Sequence, residues 1–106
     1  MIHISLRQLE YFVAAARHGS AARAAEAIGV SQPSISKAIA DLEAQWGEAL
    51  FVRRHARGLD LTAAGAVRSR DAQALLDGAR SLQGPRTAAV AGVLRLGFLS
   101  TLGARW

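Results

Sequence analysis

The stretch "GVSQPSISKAI", residues 29–39, places three serines, a glutamine and a proline where the chain takes up an apolar helical rhythm. Gly29 offers a left-handed exit from a preceding helix, and Ser31 offers an N-cap for a helix running to about Trp46. Pro33 falls in the first turn, where its missing N–H has no intrahelical acceptor to lose, so it does not break that helix. On a 3.6-residue wheel Ile35, Ala38, Ile39, Leu42 and Trp46 form one apolar stripe, the buried face. Pro33, Ser34, Ser36, Lys37 and Ala40 lie on the other side, with Gln32 at the exposed N-terminal tip.

Upstream, Ser5 and Gln8 have the spacing of a capping box, and Leu6, Leu9, Phe12, Val13 and Ala16 recur at helical spacing up to Gly19. Ser20 then caps a short second helix whose inward residues are expected to be Ala24, Ala25 and Ile28. Its alanine-rich interior lets a neighbouring helix come close. Two helices joined by a tight glycine turn, the second with a low polar face, form a helix-turn-helix. The free N–H groups and positive dipole end at Ser31 to Ser34 favour a phosphate, while Gln32 and Ser36 can reach base edges in a major groove. The bland alternative for this stretch alone is a capped surface helix with a serine-rich start.

Downstream, "LFVRR" (residues 50–54) and "LDL" (59–61) flank "HARG", which reads as a two-stranded hairpin with Gly58 near its turn. Its tip carries Arg53, Arg54, His55 and Arg57. A basic hairpin beside a helix-turn-helix is a wing, placed to meet DNA phosphates or the minor groove. Thr62 can cap a fourth helix from Ala63 to about Gln83, stopped by Gly84 and Pro85. Within it Ala72, Leu75, Ala79 and Leu82 alternate spacings of three and four, the seam of a coiled-coil contact, so a homodimer is expected; a helix merely docked on its own domain is the alternative. "RTAAVAG" reads as a linker and "VLRLGFL", Val93 to Leu99, as a strand with no sheet to join in this chain.

The expected fold is therefore mainly α: a winged helix-turn-helix of three helices and a two-stranded wing over residues 1–62, then a long linker or dimerisation helix over 63–84. Residues 85–106 are expected to be a linker and the first strand of a further domain.

Composition narrows the function. The formal charge is +5, yet residues 1–62 carry seven Lys and Arg against six Asp and Glu, so local clustering at the wing matters more than the total. There is no cysteine, which removes disulfides and thiolate metal sites and fits a reducing cytoplasm. No basic leader with a long apolar run opens the sequence, and every apolar stretch is shorter than the roughly 20 residues of a membrane span. Enzymatic motifs are weak. Ser34 to Lys37, "SISK", matches the S-x-x-K of penicillin-recognising serine enzymes without its partner motifs. His3, His18 and His55 lack metal-ligand spacing, and neither G-x-S-x-G nor a phosphate-binding loop occurs. Neither catalysis nor a cofactor is expected.

The run "LRQLEYFVAAARHGS", "RAAEAIGVSQPSISKAIADLE", "LFVRR" and "LTAAG" resembles the LysR-type transcriptional regulators, over about residues 5–85. The resemblance implies that Gln32, Pro33, Ser34, Ser36 and Lys37 lie at the recognition-helix end that meets DNA. It also implies a wing at Arg53 to Arg57 and dimerisation through the helix from Ala63. Full members continue into a two-lobed effector-binding domain, and "GVLRLGFLSTL" resembles its first strand. The chain is thus expected to be a fragment lacking the small-molecule effector site. Four positions depart from the family pattern: Ala21 replaces a bulky apolar residue, Trp46 a leucine, Ala63 a proline and Ala66 an acidic residue.

The expected function is sequence-specific binding of double-stranded DNA in a cytoplasmic transcriptional regulator. Gln32 and Ser36 would read bases, Arg23, Arg53 and Arg57 would meet phosphates, and Ser31 and Arg54 complete the expected DNA-binding set. The alternative is a helical protein-interaction module with a merely solvated wing.

Overall fold

The computed structural model describes residues 1–54 and 58–84. Its elements are α1 (Leu6–His18), α2 (Ala21–Ile28), α3 (Gln32–Trp46), β1 (Phe51–Arg53), β2 (Leu59–Leu61) and α4 (Ala63–Gln83). The expected linker and strand beyond residue 84 lie outside the described residues, as do His55 and Arg57.

Each helix starts where a side chain can satisfy its first free N–H groups. The Ser5 hydroxyl accepts from the Gln8 N–H at 3.1 Å, and the Gln8 side chain accepts from the Ser5 N–H at 2.9 Å, a complete capping box. Ile4 before the cap and Leu9 four residues after it pack in the same cluster, as in a hydrophobic staple. Leu6, although it shares the apolar rhythm of α1, is 47% exposed. At the α2–α3 turn Gly29 adopts φ 75°, and the N–H groups of Gly29 and Val30 both reach the Ala25 carbonyl. Only glycine takes this conformation at no steric cost. The turn also corrects the expectation for Ile28, which is exposed; Val30, just past the glycine, packs on the core instead.

Helix α1 lies between two core clusters. On one side Leu9, Phe12 and Val13 meet Leu42, Leu50, Ala72 and Leu76. On the other, Ala14 and Ala15 meet Ala24, Ala25, Ile35 and Ile39, where small side chains bring α2 against α1 and α3. Phe12 is fully buried and receives two rings edge-on, Phe51 at 5.7 Å and Trp46 at 6.3 Å. Trp46 itself is half-buried rather than fully part of the buried stripe.

The strands pair antiparallel with Phe51 opposite Leu61 and Arg53 opposite Leu59. Leu50, expected to open the first strand, is instead a fully buried core residue whose N–H donates to the Glu43 carboxylate at 2.8 Å. The wing is anchored by the Leu59 N–H, which donates to the Gly19 carbonyl at 2.9 Å.

Helix α4 begins at Ala63 although no proline opens it. The Thr62 hydroxyl accepts from the Gly65 N–H at 2.9 Å and donates to the Ala49 carbonyl at 2.7 Å. Its inward face is Gly65, Ser69, Ala72 and Leu76. This corrects the expected seam at one position: Ala72, 4% exposed, is packed within its own domain and is not open to a second chain. The inward stripe runs through Leu76 rather than Leu75, and at its start Gly65 lets the first turn of α4 sit against the Leu50 backbone.

Candidate nucleic-acid interface

Helix α3 presents its outer face with Gln32, Pro33, Ser36, Lys37 and Ala40 exposed and Ser34 half-buried. The Ser31 hydroxyl caps the Ser34 N–H at 3.3 Å and lies 2.7 Å from the Ser34 hydroxyl. Lys37 reaches Asp41, one turn on, at 3.0 Å. Ser34 and Lys37 thus each have a partner within α3 or its cap. Exposed helix pairs such as Lys37–Asp41 contribute only about 0.3–0.5 kcal/mol, so a phosphate can compete for the ammonium.

An open groove of about 810 Å³ lies between the start of α2, the outer face of α3 and the wing. It brings together Arg23, Gln32, Ser36, Arg53 and Arg54. Ser31, Pro33, Ser34 and Lys37 lie outside its lining, at the start and along the side of α3. Arg23 is exposed on α2, where its N–H is held by the Ser20 hydroxyl at 2.9 Å. Alanines 21, 22 and 40 keep the walls low, so a wide partner can reach the polar groups.

Two acids of this region are not among the expected DNA-binding residues. Glu43 lines the groove and fixes Leu50 at the entry to the wing. Its signal was available, since 32, 36, 40 and 43 follow one helical face. Asp60 pairs with the Arg54 Nε, both side chains remaining more than half exposed. Arg53 is exposed on the strand beside it. The Arg54 charge is thus shared with Asp60 within the hairpin.

Among the described residues, no three His, Asp or Glu side chains gather to hold a metal ion. No described helix is long and apolar enough to cross a membrane.

A helix pair joined by a glycine turn, backed by α1 and flanked by a two-stranded hairpin that shares a groove with the second helix, is a winged helix-turn-helix. The sequence pattern of the bacterial regulatory helix-turn-helix proteins of the lysR family matches residues 6–66. The chain belongs to the LysR family. It is 42% identical over 101 residues to the HTH-type transcriptional regulator TfdS of Cupriavidus pinatubonensis, covering 92% of this chain and 34% of TfdS. It is 49% identical over 78 residues to the SDS degradation transcriptional activation protein of a Pseudomonas species, covering 74% of this chain and 25% of that protein. Among solved structures, the DNA-binding domain of CbnR in complex with DNA superposes with a TM-score of 0.70 at 44% identity, covering 74% of this chain and 88% of that one. The chain therefore spans about a third or less of the length of these two regulators.

Proposed function

We propose that this chain is the DNA-binding part of a transcriptional regulator, reading double-stranded DNA as a homodimer. The observation that carries the reading is the groove in which Arg23, Gln32, Ser36, Arg53 and Arg54 converge on one surface of a winged helix-turn-helix. Helix α3 enters the major groove with its N-terminal end foremost. There Gln32 has the donor and acceptor that pair with an adenine edge, and Ser36 adds a hydroxyl one turn on. Pro33 and Ala40 give that face a low profile.

Arg23, Arg53 and Arg57 meet phosphates, and the capped start of α3 at Ser31 and Ser34 adds its positive dipole end. Arg54 joins them from the wing, and Lys37 reaches the backbone from the flank of α3. Dimerisation uses the outer side of α4, where Leu75 and Leu82 are exposed and Ala79 half-buried. Residues 63–84 then serve as linker helix between the DNA-reading domain and the partner copy. The setting is the cytoplasm, and no small-molecule effector or catalytic step is assigned to these residues.

The test is selection of bound sequences from a random duplex pool at moderate salt. The expected product is an inverted repeat whose half-sites lie about one helical turn, roughly 34 Å, or a multiple of it apart. Binding without enrichment would leave phosphate attraction alone. Absence of binding would leave the alanine-rich helices as a protein-interaction module.

A further inference from the structure

We infer that Arg68 is a positioning residue: with Glu48 and Trp46 it sets the angle at which α4 leaves the winged helix-turn-helix, and so the half-site spacing that the dimer accepts. The inference rests on the dimeric DNA-reading function proposed above.

The Arg68 Nε lies 2.6 Å from a Glu48 carboxylate oxygen, and its guanidinium carbon lies 4.4 Å from the centre of the Trp46 ring. The ring in turn stands edge-on to the fully buried Phe12. A carboxylate held at Nε and an aromatic face under the guanidinium plane together restrict both the direction and the tilt of this side chain. The ion pairs Lys37–Asp41 and Arg80–Asp77 each stay within one helix, and Arg54–Asp60 stays within the wing. Arg68–Glu48 instead joins α4 to the turn after α3, across 20 residues of sequence. Its side chains are also the least exposed of these pairs, 36% each, so solvent and salt screen it less.

The inner face of α4 explains why such a contact matters. Gly65, Ser69 and Ala72 permit close approach but offer no large side chain to key the helix in direction; only Leu76 inserts one. Close approach fixes the distance between α4 and the core, while the flank contact at Arg68 resists sideways swing. Leu76 is the one large side chain of this face keyed into the core, so a swing pivots there; at 1.5 Å rise per residue the far end of α4 is about 10 Å beyond it, and a swing of about 20° moves that end by roughly 4 Å. That exceeds the ~3.4 Å between successive base pairs. In a dimer joined through α4, the same swing changes the distance between the two recognition helices.

The experiment is selection from duplex pools carrying two half-sites at every spacing, using the 106-residue chain and its Arg68→Ala and Trp46→Leu variants, with circular dichroism to confirm folding. The expected result is one dominant spacing for the unmodified chain. Both variants should enrich the same half-site sequence, with preference for that spacing falling about fivefold, the scale of losing a partly buried charge-assisted contact. Arg68→Lys, which retains charge without the planar fork, should fall between. If Arg68→Ala does not fold, Trp46→Leu carries the test alone, because it keeps apolar cover over Phe12. A folded variant with an unchanged spacing profile would overturn this inference and leave the DNA-reading function intact. Enrichment of isolated half-sites by the unmodified chain would remove the dimer reading and this inference together.

Discussion

Gln32 occupies the first position of α3, exposed at the mouth of the groove with Ser36 one turn behind it. If its amide pairs with an adenine edge, Gln32→Ala should lose about 1–3 kcal/mol at a single base-pair position and relax preference there. Affinity for a set of singly substituted duplexes measures this, and equal losses on every duplex would count against base reading. Asp60 poses the opposite case, because it engages the charge that the wing would offer to DNA. Asp60→Asn should release Arg54, tighten binding to all duplexes alike and steepen the log–log salt slope by up to about 0.9, one phosphate contact. Weaker binding would mean that Asp60 aims Arg54 rather than restrains it. The sequence made Gln32 and Ser36 legible because an N-cap and a helical wheel fix both their position and their outward direction. Asp60 was hidden for a physical reason: it lies opposite Val52, so its contact with Arg54 is a diagonal cross-strand one that a count along the chain does not display.

At the level of elements, α4 was legible in its ends and obscure in its faces. Thr62 and Gly84 mark its limits from local chemistry alone, whereas the stripe that packs inward begins with a glycine and a serine, which a search for apolar periodicity passes over. Smallness is the signal there. A Cβ added at Gly65 would lie only 2.1 Å from the Leu50 carbonyl oxygen, a backbone atom held by its neighbours and unable to rotate away. Alanine is the better helix former by about 1 kcal/mol. The clash should outweigh that gain, since forcing atoms into a packed contact costs about 1–3 kcal/mol. Gly65→Ala is therefore expected to lower the urea midpoint without changing the slope of unfolding. A raised midpoint would show that α4 does not approach the strand entry so closely. The same logic explains Ile28 and Val30, where the left-handed glycine between them moved the inward position past the end of α2.

For the whole molecule, the arrangement gives α4 two unlike sides. Ala72 and Leu76 hold it to its own domain, 4% and 3% exposed, while Leu75 and Leu82 face outward at 51% and 77%. Packing therefore continues across residue 62, and α4 is braced by the helices before it. This division of faces makes the dimer testable without disturbing the fold. Replacing both Leu75 and Leu82 by glutamate puts charges on an exposed surface, where substitutions usually change stability by no more than about 0.5 kcal/mol. If the outer face joins two copies, the double variant should sediment as a monomer with an unfolding midpoint close to that of the unmodified chain. Its affinity for a single half-site should be retained, because the groove bearing Gln32, Ser36 and Arg53 is built from α2, α3 and the wing. Affinity for a paired site should fall by about 10² or more, as linked binding loses its effective concentration. A double variant that still sediments as a dimer would place the contact elsewhere. One that loses single half-site binding as well would mean that the outer face of α4 supports the reading head directly, and that the two sides of this helix are not independent.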